Sequence, residues 1–193
     1  MTICEEFAKV LEIDNKKIIT RLSEIAEICS FEKGKVILHE GETSTFVPFL
    51  ISGATRGFSA DTHGKEITSC FNVNKMEPLV ASIPLDAPAI VSIQAVMPSQ
   101  ILCLPTKEIM NMLETDKSLL AYYNQLLNIS LQTQVEIKNV LYKYSAMERY
   151  KWFLDKYPGL DGKISSKYIA SFLNITPVSL SRLRSSLRAV HAK

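Results

Sequence analysis

The alternation of apolar and polar positions divides the chain into helical and strand-like parts. Residues 4–28 carry apolar side chains at helical spacing and predict one or two short N-terminal helices. From Ser30, short alternating or apolar runs separated by glycines predict about five strands joined by tight turns, as in an antiparallel barrel or roll. The segment "DTHGKE" reads as a hairpin tip in which Gly64 suits a positive φ. Strand character resumes in "AIVSIQAVMPSQILCLP", after the irregular, proline-containing "NKMEPLVASIPLDAP".

The segment from Thr106 to Ser145 predicts two helices that meet near residues 114–116. The second helix is expected from about Lys117 to Tyr144, and its apolar positions recur every three or four residues, as in a coiled coil. This predicted seam, which ends at Tyr144, consists of Leu120, Tyr123, Leu127, Ser130, Gln134, Ile137 and Leu141. The alternative is a helix that packs only on its own domain. Because apolar residues also lie off the seam, we expect the helix to pack both on its barrel and on a second copy, in a homodimer.

The C-terminal stretch "KYIASFLNITPVSLSRLRSS" has the spacing of a helix-turn-helix. The first helix would bury Ile169, Ala170 and Leu173. The turn would be formed by Asn174, a residue that tolerates the left-handed region, and closed by Ile175. A second helix would follow, capped by Thr176 with Pro177 in its first turn, and its inner positions would be Leu180 and Leu183. The alternative is a small helical subdomain whose arginines are simply solvated.

The outer face of the predicted second helix is rich in serine and arginine and contains no acidic residue. Hydroxyl and guanidinium groups suit phosphates and base edges of DNA. We expect Arg182 to contact a base or a phosphate, serines to add hydrogen bonds, and the flanking cations to contact phosphates. The candidate DNA-binding residues are Lys167, Thr176, Ser179, Ser181, Arg182, Arg184, Ser185 and Arg188.

The charge distribution and the cysteine content narrow the classes of protein to which this chain could belong. Residues 145–193 contain nine Lys or Arg and three Asp or Glu, whereas the 193-residue chain as a whole has a net charge of +2. A basic C-terminal quarter on an acidic body is typical of a polyanion-binding module joined to another domain. No eighteen-residue apolar run predicts a membrane span, and "MTICEEFAKVLEIDNKK" does not resemble a secretion signal. The four cysteines are widely spaced, so we expect reduced thiols and a cytoplasmic protein.

Taken together, these motifs resemble the Crp/Fnr transcriptional regulators of bacteria. "GETSTFVPFLISGATRGFSADTHGKE" is similar to the first half of the family's β-roll signature, and "RYKWFLDKYPGLDGKISSKYIASFLNITPVSLSRLR" is similar to the family's C-terminal region. The resemblance implies an α+β fold with an N-terminal antiparallel β-roll (a double-stranded β-helix), a long dimerisation helix and a C-terminal winged helix-turn-helix. It implies domains at residues 1–116, 117–144 and 145–193.

The resemblance also carries expectations about function. Ser179 and Arg182 correspond to positions of the family's reading helix that meet the major groove of DNA. The Arg-Glu pair that usually precedes them is replaced here by Pro177 and Val178, so the base specificity should differ. The chain ends at "AVHAK", which leaves little room for a two-stranded wing. Double-stranded DNA and a second copy of the chain are the expected partners. RNA polymerase and a small-molecule effector are further partners that the resemblance allows.

Cyclic AMP is not the expected effector. In cAMP-binding relatives, an arginine and free backbone amides neutralise the phosphate of the ligand. The corresponding stretch, "NVNKMEPLVASIPLDAPAIVSIQAV", contains neither arginine nor glycine, and Lys75 is its single cation. Glu77 could replace the usual acid, but Pro78 removes a donor amide and Asp86 adds a negative charge. No cofactor is therefore expected, and the effector is unknown.

Other chemistries find little support in the residue types present. The three histidines, His39, His63 and His191, are scattered, which argues against a haem, a metal site or an enzyme. An oxygen-sensing iron–sulfur cluster would need several cysteines near the N-terminus, where only Cys4 and Cys29 occur. The leading hypothesis is thus a homodimeric, sequence-specific DNA-binding regulator that does not respond to cAMP. Its alternatives are a small-ligand sensor or interaction module that does not bind DNA, and a cAMP-responsive regulator.

Overall fold

The computed structural model describes residues 3–10, 13 and 15–191 and has an N-terminal β-roll of two four-stranded sheets. The first sheet has the order β1 (Glu27–Phe31), β8 (Ser99–Pro105), β3 (Phe46–Ser52), β6 (Glu77–Pro78). The second has the order β2 (Val36–Leu38), β7 (Ser92–Ala95), β4 (Thr55–Ala60), β5 (Glu66–Asn72). All strand pairs are antiparallel. The predicted roll is confirmed.

The core of the roll lies between the two sheets. Leu50 and Ile101 of the first sheet are fully buried and belong to the same apolar cluster as Leu38 and Ile93 of the second. The central strands β3 and β8 each contain four consecutive buried residues, so both faces of these strands are covered. At the predicted hairpin tip between β4 and β5, Gly64 has φ +77°, which confirms the expectation for that position.

Two N-terminal helices and one short helix pack at one end of the roll. They are α1 (Ile3–Val10), α2 (Lys16–Ile25) and α3 (Thr106–Thr115). The long helix α4 (Lys117–Lys143) begins directly after Asp116, whose carboxylate accepts hydrogen bonds from the amides of Ser118 and Leu119, both at 2.9 Å. Asp116 is therefore both the C-cap of α3 and the N-cap of α4, so the two helices meet at a single residue. The predicted joint and the predicted long helix are both confirmed.

The C-terminal part contains three helices, α5 (Ala146–Lys156), α6 (Ser166–Phe172) and α7 (Pro177–His191). A capping box between Ser145 and Glu148 starts α5 immediately after α4 ends. Within the described residues no strand follows α7, and the final "AVHAK" enters that helix as far as His191. The wing that the resemblance implied is therefore not part of the described chain.

The helix-turn-helix and the β-roll share one apolar core. Phe71 of β5 is 3% exposed and packs edge-on against three aromatic rings of the C-terminal part: Phe153, Tyr157 and Phe172. Rings at these distances, between 5.1 and 6.0 Å from centroid to centroid, contribute apolar burial and favourable edge-to-face contacts. The C-terminal helices are consequently held on the roll by side-chain packing as well as by the chain itself.

Candidate nucleic-acid interface

The corner between α6 and α7 has the geometry of a helix-turn-helix. Ala170 of α6 is 1% exposed and Leu180 of α7 is fully buried, so the two helices cross closely at these side chains. Asn174 forms the turn with φ +51°, and the amide of Ile175 donates to the carbonyl of Ala170 at 3.0 Å. A left-handed residue is tolerated here because the asparagine side chain is short and polar. The predicted corner is confirmed.

The start of α7 is capped by the predicted residue. The Thr176 hydroxyl accepts a hydrogen bond from the amide of Ser179 at 3.1 Å and lies 2.9 Å from the Ser179 hydroxyl. The cap satisfies an amide that would otherwise have no partner in the first turn. These two hydroxyls therefore stabilise the helix start and keep acceptor capacity toward the outside.

The outer face of α7 is exposed to solvent, and we call it the reading face. It comprises Val178, Ser179, Ser181, Arg182, Ser185 and Ser186. Ser185 and Ser186 donate their hydroxyl protons to the carbonyls of Ser181 and Arg182, at 3.1 and 3.0 Å. Arg182 is exposed, and its guanidinium has no acidic partner among the residues that the structure describes. A cation without an internal partner is available to an external anion or base edge.

Arg184 differs from the role predicted for it. Its guanidinium donates to Asp161 Oδ1 and to Ser166 Oγ, the latter at 2.7 Å, and its side chain is only 21% exposed. Tyr150 donates its hydroxyl proton to the other oxygen of Asp161 at 3.0 Å. Burial opposes the charge of Arg184, but the hydrogen bonds to Asp161 and Tyr150 leave its pKa raised. This arginine joins α7 to α6 and to the turn before α6, and it is not directed toward a phosphate.

The two remaining predicted cations flank the reading face. Lys167 lies in the first turn of α6, has a side chain 64% exposed, and places its ammonium 4.0 Å from Glu66 Oε2. Arg188 is exposed in the last turns of α7. An exposed ion pair at 4.0 Å contributes little, so both cations are accessible to phosphates.

The predicted seam of α4 is partly buried within this chain, and the exposed apolar face of the helix lies to one side of it. Ile137 is 4% exposed and packs in the core shared with α5 to α7, and Leu141 packs beside it. Tyr123 and Ser130 line clefts against the β-roll. Leu127 and Gln134 line the same two clefts, and of the predicted residues Leu120 lies on the outward face, where it is 42% exposed.

A second set of apolar residues occupies the outward face of α4, and we call it the exposed stripe. It consists of Leu120, Leu131, Val135 and Tyr142, which lie within about 60° of one another at 100° per residue. Leu131 is 63% exposed, Val135 49% and Tyr142 79%. Apolar side chains in such a row on a long helix favour contact with another apolar surface. Leu131 and Val135 lie outside the predicted seam and are among the off-seam apolar residues from which packing on a second copy was inferred.

A cleft of ≈ 600 Å³ lies between the β-roll and α4. Its walls come from β4, β5, the segment 77–80, β7 and α4, and Glu77 is the one charged residue among the described residues that line it. The Glu77 carboxylate already accepts hydrogen bonds from the Asn72 amide group and from the backbone amides of Val73 and Asn74, at 3.1, 3.0 and 3.0 Å. Lys75 points away and forms an ion pair with Glu6 of α1.

Comparison with known proteins gives a family match for the β-roll and a fold match for most of the chain. Residues 28–116 match the cyclic nucleotide-binding domain family. FixK2 from Bradyrhizobium japonicum superposes with a TM-score of 0.77 at 17% identity, covering 86% of each chain. A candidate transcriptional regulator of the Crp/Fnr family from Eubacterium rectale superposes with a TM-score of 0.77 at 16% identity, covering 95% of this chain and 88% of that one. This chain has the Crp/Fnr fold.

A third similar structure is that of a regulator described as responsive to c-di-GMP. It is the c-di-GMP-responsive global regulator CLP of Xanthomonas campestris, which superposes with a TM-score of 0.71 at 13% identity and covers 92% of this chain and 93% of its own. No curated protein sequence matches the chain significantly. At these identities the solved structures establish the fold alone.

The match to the cyclic nucleotide-binding domain family raises the question whether the cleft could hold a cyclic nucleotide. Its lining is poorly suited to the phosphate of such a ligand. A buried phosphate needs a cation and free amide donors, because an uncompensated charge in a cleft is costly. Here the lining contains no arginine or lysine among the described residues, and Glu77 occupies the local amides. The residues present therefore do not fit a cyclic nucleotide held by its phosphate.

The described part of the chain contains no candidate metal site and no candidate membrane-spanning helix. No group of three or more His, Cys, Asp or Glu in residues 3–10, 13 and 15–191 is placed to hold a metal ion. The thiols of Cys29, Cys70 and Cys103 are free, and burial raises the pKa of Cys70 and raises that of Cys103 to about 12. Over the same range, no helix is both long and apolar enough to cross a bilayer.

Proposed function

We propose that this protein is a homodimeric, sequence-specific DNA-binding transcriptional regulator of the Crp/Fnr type. The observation that carries the proposal is the reading face of α7, on which an exposed Arg182 without an acidic partner among the described residues stands among serine hydroxyls. The compact corner behind it holds that face outward. The surplus of basic residues in 145–193 adds attraction to a polyanion.

Each residue of the interface has a proposed role. Arg182 contacts a base edge or a phosphate, and Ser181 and Ser185 add hydrogen bonds in the major groove. Thr176 and Ser179 hold the start of α7 and direct its first turn toward the duplex. Lys167 and Arg188 neutralise phosphates on either side. Arg184 supports the reading helix from within, which revises the phosphate contact predicted from the sequence.

The experiment that tests the function is a selection from random duplex DNA with the full-length chain. We expect a palindromic sequence with half-sites about one helical turn, or ~34 Å, apart, because a two-fold dimer presents two copies of α7. Binding should weaken steeply as salt rises, since counterions are released from the phosphates. Failure to enrich any sequence, together with no retention on heparin at moderate salt, would favour the sensor or interaction module that does not bind DNA.

The dimer is proposed to form through the exposed stripe of α4. Leu131 and Val135 lie at its centre and leave a large apolar area in water unless a second copy covers them. We expect the variant carrying Leu131→Glu and Val135→Glu to sediment near the chain mass of 21.7 kDa, and the unaltered protein to sediment at twice that mass. Like charges at the centre of an apolar interface oppose association.

A matched control for the dimer is Gln132→Glu, which adds one charge to an exposed position of α4 outside the stripe. It should leave the mass of the dimer unchanged. A dimer that survives both charges at Leu131 and Val135 would place the interface elsewhere. Contact with RNA polymerase remains a prediction from the family resemblance.

We further propose that cAMP is not the effector. A ligand that binds only the folded state raises the melting temperature, by an amount that grows with concentration above its dissociation constant. Because the cleft lacks a cation for the phosphate, 1 mM cAMP is expected to shift the midpoint of thermal unfolding by less than about 1 °C. A dose-dependent rise on addition of cAMP, absent with AMP, would establish the cAMP-responsive alternative.

A further inference from the structure

The first helix of the helix-turn-helix covers the free edge of the β-roll. Strand β5 lies at the end of the second sheet, so its outward amides and carbonyls have no strand partner. The hydroxyl of Ser171 in α6 accepts from the amide of Thr68 at 3.0 Å and donates to the carbonyl of Glu66 at 3.2 Å. One side chain of α6 therefore satisfies two backbone groups of the edge strand, which would otherwise need water.

A fully buried arginine reinforces this contact. Arg56 of β4 is 0% exposed and donates to Glu66 Oε2 at 2.5 Å, to Thr68 Oγ1 at 3.1 Å and to Gln94 Oε1 at 2.8 Å. A buried guanidinium needs such acceptors, because unpaired charge is expensive to remove from water. All three acceptors belong to the β-roll, so the hydrogen bonds alone do not tie the two parts together.

The tie to the helix-turn-helix is made by an aromatic ring. The guanidinium carbon of Arg56 lies 3.7 Å from the ring centroid of Tyr168 in α6 and 4.1 Å from that of Phe58 in β4. The cation is thus enclosed between one ring from each part, and cation–π attraction is strongest where water is excluded. We call Arg56, Glu66, Tyr168 and Ser171 the Arg56 latch.

The latch adds to the packing of Phe71 against the aromatic rings of α5 and α6, which also holds the C-terminal helices on the roll. A further contact is the joint between α4 and α5, where Glu136 of α4 accepts from Trp152 Nε1 at 3.1 Å and from Lys156 Nζ at 2.7 Å. The joint lies at the chain connection, whereas the latch holds the opposite side, at α6. A body held at two separated points has little freedom to rotate.

Resting on the proposed function, the geometry points to the Arg56 latch as the element that sets the separation of the two reading helices in the dimer. Tyr168 and Ser171 are then positioning residues for half-site spacing, although neither lies on the reading face. Changing the spacing by one base pair moves a half-site by roughly 3.4 Å and rotates it by roughly 35° around the duplex. A rigidly held α7 cannot follow that displacement, and a released one can.

The test uses the selected palindrome and versions of it whose central spacing is one base pair longer or shorter. The unaltered protein is expected to lose affinity about tenfold or more on either shifted site. Tyr168→Ala should reduce that discrimination to about threefold or less, while affinity for a single half-site changes less than about twofold. Tyr168→Phe retains the ring over Arg56 and should behave as the unaltered protein. Ser171→Ala serves as the second, milder latch variant and should show an intermediate loss of spacing discrimination.

A measurement without DNA separates this inference from the proposed function. The amide of Thr68 donates to the Ser171 hydroxyl across the interface, so its hydrogen exchange reports latch opening. In Tyr168→Ala it should exchange about tenfold faster or more, with α7 amides unchanged. Unaltered Thr68 exchange in this variant, or full spacing discrimination, would overturn the inference. Protected Thr68 without any DNA binding would instead overturn the proposed function and leave the latch only as a structural contact.

Discussion

Arg182→Ala is expected to weaken binding to the selected DNA site about 10- to 100-fold, or roughly 1–3 kcal/mol. Arg182 is exposed on the reading face, and no acidic partner lies near its guanidinium in the described residues. Its loss therefore removes contacts to DNA without breaking an internal ion pair. If Arg182 reads a base, the variant should also tolerate substitutions at one position of the half-site. Competition gel shifts with single-base variants of the site would measure both effects.

The control for this prediction is Lys107→Ala. Lys107 is exposed on α3, far along the chain from the reading face, so the variant loses one positive charge without touching α7. Binding should change less than about twofold, because Lys107 is not part of the reading face. An Arg182→Ala protein that is folded and binds the selected site as tightly as the Lys107→Ala control would remove Arg182 from the interface.

Phe153→Ala is expected to lower the free energy of unfolding by about 3–5 kcal/mol. The ring is 0% exposed and contacts Phe71, Tyr157 and Phe172, at centroid distances of 6.0, 5.3 and 6.0 Å. Truncation removes apolar burial and leaves a cavity where α5, α6 and β5 meet. Because total stabilities of domains are about 5–15 kcal/mol, a change of this size should move the urea midpoint strongly.

Because the β-roll and the helix-turn-helix share one core, the loss of stability in Phe153→Ala should affect both parts together. Phe153 packs on Phe71 of the β-roll, so the roll and the helix-turn-helix should unfold in one transition, which moves as a whole in the variant. Tyr144→Ala, which truncates an aromatic ring that is 48% exposed, serves as the control and should cost less than about 1 kcal/mol. Two separate transitions, with only one of them shifted, would contradict a common core.

Local features of this protein followed from the sequence because their causes are local. The corner between α6 and α7 depends on Ala170, Asn174 and Leu180, which lie within eleven residues of one another. The break before α4 depends on one capping carboxylate, Asp116, and the hairpin tip depends on Gly64. Short-range backbone preferences and side-chain caps are encoded in neighbouring residues, so the pattern alone predicts them.

Resemblance to a family supplied the long-range arrangement. The pairing of β1 with β8 joins residues about seventy positions apart, and no periodicity within a strand specifies such a partner. The described residues contain no wing after α7, which continues to His191, and the sequence had already left little room for one.

By itself, the sequence determined the helix-turn-helix corner, the long helix and the cation-rich outer face of α7. Only the tertiary structure decided which stripe of α4 stays exposed, because Ile137 packs in the core shared with α5 to α7 whereas Leu131 stays in solvent. It also assigned Arg184 to Asp161 and enclosed Arg56 between Phe58 and Tyr168. The reason is physical: the partner of a charge and the covered side of a helix depend on residues brought close by folding, often far away along the chain.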